Sequence, residues 1–576
     1  MALDLLIRDG TVVDGRGTPG RRADVGVRNG RIVALGDVDE PAARTVDADG
    51  LVVAPGLIDL HTHYDAQLCW DPYALPSSLH GTTTVVGGNC GFSIAPVRED
   101  DRDYMTQLLA RVEGMPLASL LVALPWDWQT FGEYLERFQS RLGVNAGFFV
   151  GHTAVRRFVL GADGERVGTE SELDAMRALL RDGLAAGGLG FATGTSPTHN
   201  DAAGRPVPNR FASRDELVEL ARVTGEFDGT ALEIVPPPGR FTDDQIELMT
   251  EMSIAAERPI NWNLLNVSKV IWDDCEQRLR ASDYAAERGG RILALTLPVA
   301  NAMRLNFVSG FMFDSIPVFT QLFELSPEER LRALASPEVR GLLRRAADTP
   351  QGRALYYVTD WGGLTIGQTY APVNTGLTNQ TVRDIAAARG ADELDTLLDI
   401  VVADDLRTMI VTPVRGDDGE SWRLRETVLR DRRAIAGGSD CGAHVDVLDT
   451  FSMNTSLLGP CVRDRHMVTL EEAVQLLTGA PAALYGIVDR GIVAQGAWAD
   501  LFVFDAATIG PGHVEMRHDM PGGAGRLYSE PTGVAHVFVN GAEVVRDGTA
   551  LTGALPGRVL RSGRDTRTVR PADVPY

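Results

Sequence analysis

The residues best suited to chemistry are two histidines that follow an apolar stretch near the start of the chain. Residues 55–63 read PGLIDLHTH, a pattern that predicts a β-strand ending in His-x-His. Alternate residues of an extended chain point to the same side, so both imidazoles can reach one metal ion. The spacing therefore predicts that His61 and His63 are metal ligands.

A second apolar stretch ends in a carboxylate. Residues 434–440 read AIAGGSD, and Asp440 is the last of them. A carboxylate at a strand end can bind a metal ion and take a proton from water, although it can also cap a following helix. Together with His-x-His, the pattern favours Asp440 as a metal ligand and general base.

A cysteine ends a third apolar stretch. Residues 82–91 read TTTVVGGNCG and contain Cys90. Thiolate sulfur is a good ligand for zinc, which makes Cys90 a candidate ligand. The alternative interpretation is a small buried apolar side chain.

These three segments belong to a series of strands that alternates with helices. Eight strands are predicted: Gly56–His61, Thr83–Gly88, Ala146–Gly151, Leu189–Thr193, Ala231–Val235, Ile260–Leu265, Ile292–Leu297 and Ile435–Ser439. Helical patterns lie at 170–186, 213–227 and 274–288. This alternation predicts an α/β fold, a (β/α)₈ TIM-type barrel with its active site at the carboxyl ends of the strands.

The two ends of the chain have a different sequence pattern, in which runs of β-branched residues flank Asp-Gly and Asn-Gly turns. We expect residues 1–54 and 485–576 to form one composite β-sandwich around a hydrolase barrel at 55–484. Residues 299–433 contain no simple strand–helix unit. They are interpreted as a lid-like insertion between strands seven and eight.

Composition limits the classes of partner. The 576-residue chain has a net charge of -23, which disfavours binding to nucleic acid or to an acidic membrane surface. Five cysteines are few for a chain of this length, and an odd number cannot all pair, so a disulfide framework is not expected. Together with the polar start of the chain, the cysteines favour a cytoplasmic protein. Lys269 is the only lysine, and a homo-oligomer is left open.

The chain resembles the N-acyl-D-amino-acid deacylases, or D-aminoacylases, of the metal-dependent amidohydrolase superfamily. The matching segments are APGLIDLHTHYDAQ, GTTTVVGGNCGFSIAP, VGHTAVR, IAGGSDCGAH and the C-terminal VTLEEAVQLLTGAPAALYGIVDRGIVAQGAWADLFVFD. The resemblance implies zinc, one ion with a second left open, held by His61, His63, Cys90 and Asp440. It implies that Cys90 replaces the carbamylated lysine usual in the superfamily, and that water activated by the metal hydrolyses an amide.

The resemblance is incomplete at the fifth and sixth strands, where the family carries further histidine ligands. Here these strands read TALEIV and INWNLL, without histidine. Glu233 could supply an oxygen ligand, His152 could be drawn in from strand three, and Lys269 could be carbamylated.

The family also holds the substrate carboxylate with an arginine shortly after the catalytic aspartate, and no arginine follows Asp440 before Arg463. A substrate carboxylate would then need Arg156, Lys269 or an arginine of the lid, and His444, in the segment after Asp440, is a further auxiliary candidate.

Three hypotheses remain at this level. The first is a metal-dependent hydrolase of a small-molecule amide, of the N-acyl-D-amino-acid deacylase type. The second is a hydrolase of cyclic amides or lactones on the same scaffold. The third is a non-catalytic scaffold or ligand-binding relative that has lost tight metal binding together with the two histidines.

Overall fold

The computed structural model describes residues 2–310, 312–313 and 316–574. Strands from both ends of the chain form one nine-stranded sheet, in which Val52–Pro55 pairs antiparallel with Leu501–Phe504. The remaining strands of this sheet are Leu3–Val12, Arg21–Arg28, Arg31–Gly36, Ala42–Asp47, Val534–Val539, Ala542–Arg546 and Thr549–Ala550. The two β-rich ends therefore fold together, because each contributes strands that complete the pairing of the other.

The strands between them run parallel. In chain order they are Leu57–Asp59, Thr82–Gly87, Asn145–Phe148 continued by Val150–Gly151, Gly190–Gly194, Ala231–Val235, Ile260–Leu265, Ile292–Thr296 and Ala434–Ala436. We refer to them as the first to eighth parallel strands. Each begins within one residue of its predicted start, and these predictions are confirmed. The eighth ends three residues earlier than predicted, because Gly438, with a φ of 73°, leaves the extended conformation before Asp440.

Consecutive parallel strands are hydrogen-bonded neighbours, in one group of three and one group of six segments. The two groups also meet at the other side. The Asp440 amide donates to the His61 carbonyl oxygen at 3.1 Å, and the His63 amide donates to the Cys441 carbonyl oxygen at 2.6 Å. The segments that follow the first and eighth strands are thereby joined, which brings their polar side chains to one place.

Helices follow most of the parallel strands. They are Arg102–Val112, Leu117–Ala123, Phe131–Arg137, His152–Leu160, Glu170–Ala185, Arg214–Gly225, Asp243–Ala256, Trp272–Ala286, Met453–Ser456, Leu470–Leu477 and Gly479–Leu484. The three helices predicted from periodicity are among these and are confirmed. Glu170–Ala185 begins as expected from its sequence, because Thr169 and Glu172 form a reciprocal capping pair with each other's backbone amides.

The segment between the seventh and eighth strands has a core of its own. Its helices are Pro317–Phe323, Pro327–Ala335, Pro337–Ala346, Pro350–Ala354, Tyr356–Thr359, Val382–Arg389, Glu393–Ala403 and Gly419–Leu429. The antiparallel strands Arg304–Leu305, Thr365–Gln368 and Met409–Val411 form a small sheet beside them. Among the described residues of the whole chain, no helix is long and apolar enough to cross a membrane.

Candidate metal centre

Four side chains converge where the first, second and eighth parallel strands end. Cys90 Sγ lies 3.4 Å from His61 Nε2 and 3.7 Å from His63 Nε2. Asp440 Oδ1 lies 3.0 Å from His63 Nε2 and 3.4 Å from His61 Nε2. The structure thus brings together all four residues that the sequence suggests as ligands. We call these four residues the His-Cys-Asp cluster.

The backbone on both sides of the cluster has an unusual conformation. Cys90 and Asp440 are in the left-handed region, with φ of 58° and 62°, where residues with a side chain are uncommon. Glycines permit the close approach around them. A Cβ on Gly88 would lie 2.3 Å from the Phe149 carbonyl oxygen, and one on Gly442 would lie 2.6 Å from the His63 carbonyl carbon. Backbone strain of this kind is typical of functional sites, because it aims side chains inward.

Each imidazole of the cluster has a buried glutamate on its other side. Glu233 Oε1, from the fifth strand, lies 3.6 Å from His61 Nδ1. Glu113, just after the helix Arg102–Val112, places Oε2 3.4 Å from His63 Nδ1. Histidines that bind metal through Nε2 commonly present Nδ1 to a carboxylate, which fixes the ring and raises its basicity. Glu233 also accepts a hydrogen bond of 2.8 Å from the Cys90 amide, so it positions two members of the cluster.

The charges in this region are unbalanced. Burial raises the pKa of Glu233 to about 8 and the pKa of Glu113 to about 7, because carboxylates are crowded there away from water. Burial opposes protonation of His63, but Glu113 and Asp440 outweigh it and raise the pKa of His63 to about 10. Burial likewise disfavours the charged form of Asp440, yet hydrogen bonds with both imidazoles hold its pKa well below the usual value. The surroundings therefore stabilise a positive charge at the cluster.

The geometry and the donor set fit zinc. A tetrahedral zinc ion with bonds of ~2.0–2.3 Å holds its ligand atoms ~3.3–3.8 Å apart. Three of the four distances, 3.4 to 3.7 Å, fall in this range, and the fourth, 3.0 Å between Asp440 Oδ1 and His63 Nε2, is shorter. Two imidazole nitrogens, a thiolate and a carboxylate are also the atoms that zinc prefers. Both His61 Nδ1 and Glu233 Oε1 are buried without a hydrogen-bond partner among the described residues.

The sixth strand contributes a residue that the sequence analysis did not single out. Asn263 lies on this strand, where the sequence was expected to lack a ligand, and its Nδ2 is 3.3 Å from His61 Nε2. His199, after the fourth strand, was also missed, and a cavity of about 360 Å³ is lined by both residues. Asn263 had one available signal, its place on the strand that carries a histidine in the family. His199 had no such signal, because the loop that carries it has no spacing tied to chemistry.

Two further predicted residues are held in a separate network. His152 contacts Thr193 Oγ1 through Nδ1 and Glu216 Oε1 through Nε2, each at 2.9 Å. Arg156 donates to both oxygens of Glu216, at 2.6 and 2.7 Å, and to the Arg166 carbonyl oxygen. The structure does not bring either residue to the His-Cys-Asp cluster, because their polar atoms are committed to Glu216 and its surroundings.

Lys269 and His444 also differ in their placement. The Lys269 side chain is 48% exposed, and its Nζ lies 3.5 Å from Asp418, so the structure places it on the surface rather than among the ligands. His444 lies in the segment after Asp440, and its amide donates to the Glu113 carbonyl oxygen at 2.5 Å. His444 is therefore the auxiliary candidate that remains beside the cluster.

Comparison with known proteins decides the family. The model of the amidohydrolase family matches residues 44–545. The chain belongs to the amidohydrolase family. It is 30% identical over 565 residues to a D-aminoacylase of Alcaligenes xylosoxydans xylosoxydans, covering 97% of each chain. It is 29% identical over 566 residues to an N-acyl-D-aspartate deacylase of the same organism, covering 97% of this chain and 95% of the relative.

A solved structure agrees with this assignment. A D-aminoacylase structure, described as having a binuclear metal center, is 27% identical to this amidohydrolase, with a TM-score of 0.63. The match covers 97% of this chain and all of the other chain. This amidohydrolase is therefore a hydrolase acting on carbon–nitrogen bonds other than peptide bonds, and its relatives over the full length are deacylases of N-acylated D-amino acids.

Proposed function

We propose that this amidohydrolase is a zinc-dependent deacylase that hydrolyses the amide bond of an N-acylated D-amino acid. The observation that carries the proposal is the convergence of His61, His63, Cys90 and Asp440 at distances suited to one zinc ion. The printed activities of the two Alcaligenes relatives supply the substrate class. The metal center described for the D-aminoacylase structure is consistent with a cofactor at this place.

Different residues would bind the metal ion and transfer the proton. His61, His63 and Cys90 would hold the ion, with Asp440 completing the set. Bound zinc supplies Lewis acidity, which lowers the pKa of water and polarises an amide carbonyl. Glu113 and Glu233 keep the two imidazoles in the orientation that presents Nε2 to the ion.

Asp440 is the group placed to move a proton. Its side chain is 27% exposed, whereas those of His61 and His63 are 0% and 2% exposed, so part of this carboxylate faces solvent. Its contacts with both imidazoles favour the ionised form, and an ionised carboxylate at this place can accept a proton from water. We assign Asp440 as the general base that later returns this proton to the leaving amine.

The arrangement of the chain fits a barrel with two additions. We propose that the eight parallel strands and their helices form a (β/α)₈ barrel within residues 55–484. We propose that the ends, 1–54 and 485–576, form the composite β-sandwich, supported by the nine-stranded sheet that they share. Residues 299–433 would act as a lid, and Asn306 of this segment donates to Asp446 of the segment after Asp440 at 2.9 Å.

The experiment is a hydrolysis assay with a substrate panel. Protein freed of metal by a chelator is compared with zinc-restored protein on N-acetyl-D-amino acids, their L-enantiomers, cyclic imides and lactones. We expect zinc to restore release of acetate from the N-acetyl-D-amino acids. The surface variant Asp417→Asn serves as a control and should hydrolyse them at the same rate as the wild type. Hydrolysis of the cyclic imides alone would favour the second hypothesis of the sequence analysis. No hydrolysis of any compound would favour a non-catalytic protein.

A further inference from the structure

One arginine near Asn263 has no ion pair with an acidic side chain among the described residues. Arg278, on the helix Trp272–Ala286, lines the same cavity of about 360 Å³ as Asn263 and His199. Its Nη1 donates a hydrogen bond of 3.3 Å to the carbonyl oxygen of Leu264, the residue next to Asn263. Because Asn263 contacts His61, the guanidinium is anchored one residue away from a group that touches the cluster.

Aromatic rings fix the orientation of this guanidinium. Its Cζ lies 4.1 Å from the centre of the Trp262 ring and 4.6 Å from the centre of the Phe241 ring. Stacking of this kind holds the planar group while leaving its edge free to donate hydrogen bonds. Nε of Arg278 is buried and has no hydrogen-bond partner in the described part of the chain.

Two arginines that are buried make more hydrogen bonds than the half-buried Arg278. Arg330 donates to five carbonyl oxygens, those of Leu322, Phe307, Val308, Phe323 and Leu325. Arg156 is paired with Glu216, although its Nε, like that of Arg278, has no hydrogen-bond partner among the described residues. For Arg278, one carbonyl contact and no ion pair are found among the described residues, and burial lowers its pKa to about 10.

Among the described residues that line this cavity, the one acid is already paired. Asp274 Oδ1 lies 3.3 Å from Nη1 of Arg240. Asp274 acts on Arg278 only through its nearby charge, which opposes the lowering of the Arg278 pKa by burial, and no ion pair joins the two side chains. The guanidinium can therefore still pair with a ligand. A carboxylate matches the forked donors of a guanidinium and would recover the hydrogen bonds that burial has removed.

We propose that Arg278 binds the carboxylate of the substrate and makes this amidohydrolase selective for amides that carry an acid group. This inference rests on the proposed function, since it assigns a residue to the substrate class proposed above. The cavity places the acid group on the side of the fifth and sixth strands, next to Asn263. Binding by Arg278 also accounts for the absence of an arginine between Asp440 and Arg463, because the helix after the sixth strand supplies the cation instead.

The test measures binding, so that it does not depend on turnover. The probes are N-methanesulfonyl-D-amino acids with small, aliphatic and acidic side chains, which carry a sulfonamide in place of the amide, and their primary carboxamides. Zinc-loaded wild type, Arg278→Met, Arg278→Lys and the control Arg280→Met are titrated by calorimetry. Arg280 lies two residues away on the same helix and is exposed.

We expect the wild type to bind the acid about 10- to 100-fold more tightly than its carboxamide, as for a charged hydrogen bond. Arg280→Met should keep this preference, Arg278→Lys should keep part of it, and Arg278→Met should abolish it. Hydrolysis should follow the same order, with KM for the acids raised in Arg278→Met and kcat little changed. If Arg278→Met does not fold, a partial loss of the preference for acids over carboxamides in Arg278→Lys tests the inference in its place.

Equal affinity of the wild type for acids and carboxamides, or an unchanged preference in Arg278→Met, would overturn the inference. Binding of none of the acids would overturn it as well. A protein that prefers the acid probes through Arg278 but hydrolyses no amide would contradict only the proposed function. A protein that hydrolyses neutral and acidic amides equally would contradict only the role of Arg278.

Discussion

Two regions of the interior pair buried histidines with glutamates, and they differ in whether the imidazole nitrogens and carboxylate oxygens have partners. Around His152, both ring nitrogens and both Glu216 oxygens are hydrogen-bonded, and Arg156 supplies the compensating charge. Around His61, the ring Nδ1 and Glu233 Oε1 lie 3.6 Å apart, and neither has a hydrogen-bond partner among the described residues.

The difference separates a structural network from a binding site. Buried polar groups are normally hydrogen-bonded, so a network that engages both nitrogens of its histidine and both oxygens of its glutamate stabilises the fold and has few acceptors left for a ligand. The cluster around His61 combines crowded carboxylates with one unpartnered imidazole nitrogen, so the protein alone satisfies it poorly. A divalent cation would complete it. The two regions should therefore respond in opposite ways to substitution.

The largest effect is expected at the cluster. Asp440→Asn should lower kcat/KM for an N-acetyl-D-amino acid by about 10²- to 10⁴-fold, because the amide cannot accept the proton from water. Its thermal unfolding should stay near that of the wild type, since the side chain is partly exposed. Initial rates and melting curves measure both. Near-normal turnover would remove Asp440 from the mechanism.

Substitution in the network of His152 and Glu216 should lower stability more than activity. Glu216→Ala should lower the free energy of unfolding by about 3–5 kcal/mol, because it leaves buried Arg156 without its counter-charge. The folded variant should keep most of its kcat/KM. Urea denaturation measures the first quantity and steady-state kinetics the second.

A matched control lies one turn along the same helix. Glu219 pairs with Arg177 at a partly exposed position, and Glu219→Ala should cost about 0–1 kcal/mol. If Glu216→Ala abolished hydrolysis while the fold stayed intact, the separation of the two regions would be wrong.

A third substitution addresses the thiol. Cys90→Ser should weaken zinc binding by at least about tenfold, since it removes a soft ligand from the set. Cys461→Ser is the control, because this buried cysteine packs near Pro298 and is not part of the cluster. Competition with a zinc-binding dye reports the dissociation constant. Equal affinities in both variants would return Cys90 to a packing role.

The smallest expected effect is a pH dependence of stability. Burial raises the pKa of Glu216, but hydrogen bonds from His152 and Arg156 outweigh it and lower this pKa below its usual value. The group therefore stabilises the fold above the unfolded-state pKa of about 4.3, and this contribution is lost as the pH falls through the folded-state pKa. The stability advantage of the wild type over Glu216→Gln should be complete near neutral pH and shrink in acid. An advantage that grew in acid would have the wrong sign.

Much of this arrangement could be predicted from sequence, because it depends on local patterns. The parallel strands are continuous apolar runs, and His61, His63, Cys90 and Asp440 stand directly after such runs. Residues after parallel strands share one edge, so their convergence follows from the strand order. Their roles as ligands and base remain predictions.

Other parts could not be predicted, since they depend on long-range packing. Glu113 follows a helix and Arg278 lies within one, and no spacing relates either residue to the cluster. The sequence also does not distinguish a histidine with both nitrogens engaged from one that is available, which is why His152 and Arg156 were grouped with the site. Lys269 was considered because it is the only lysine, yet its environment is solvent and Asp418.

The most direct test of the account is the zinc content of the protein purified without added metal, measured by elemental mass spectrometry. The His-Cys-Asp cluster predicts about one zinc ion per chain. No bound zinc, and none taken up when zinc is added, would contradict the metal centre and leave the non-catalytic interpretation in the lead.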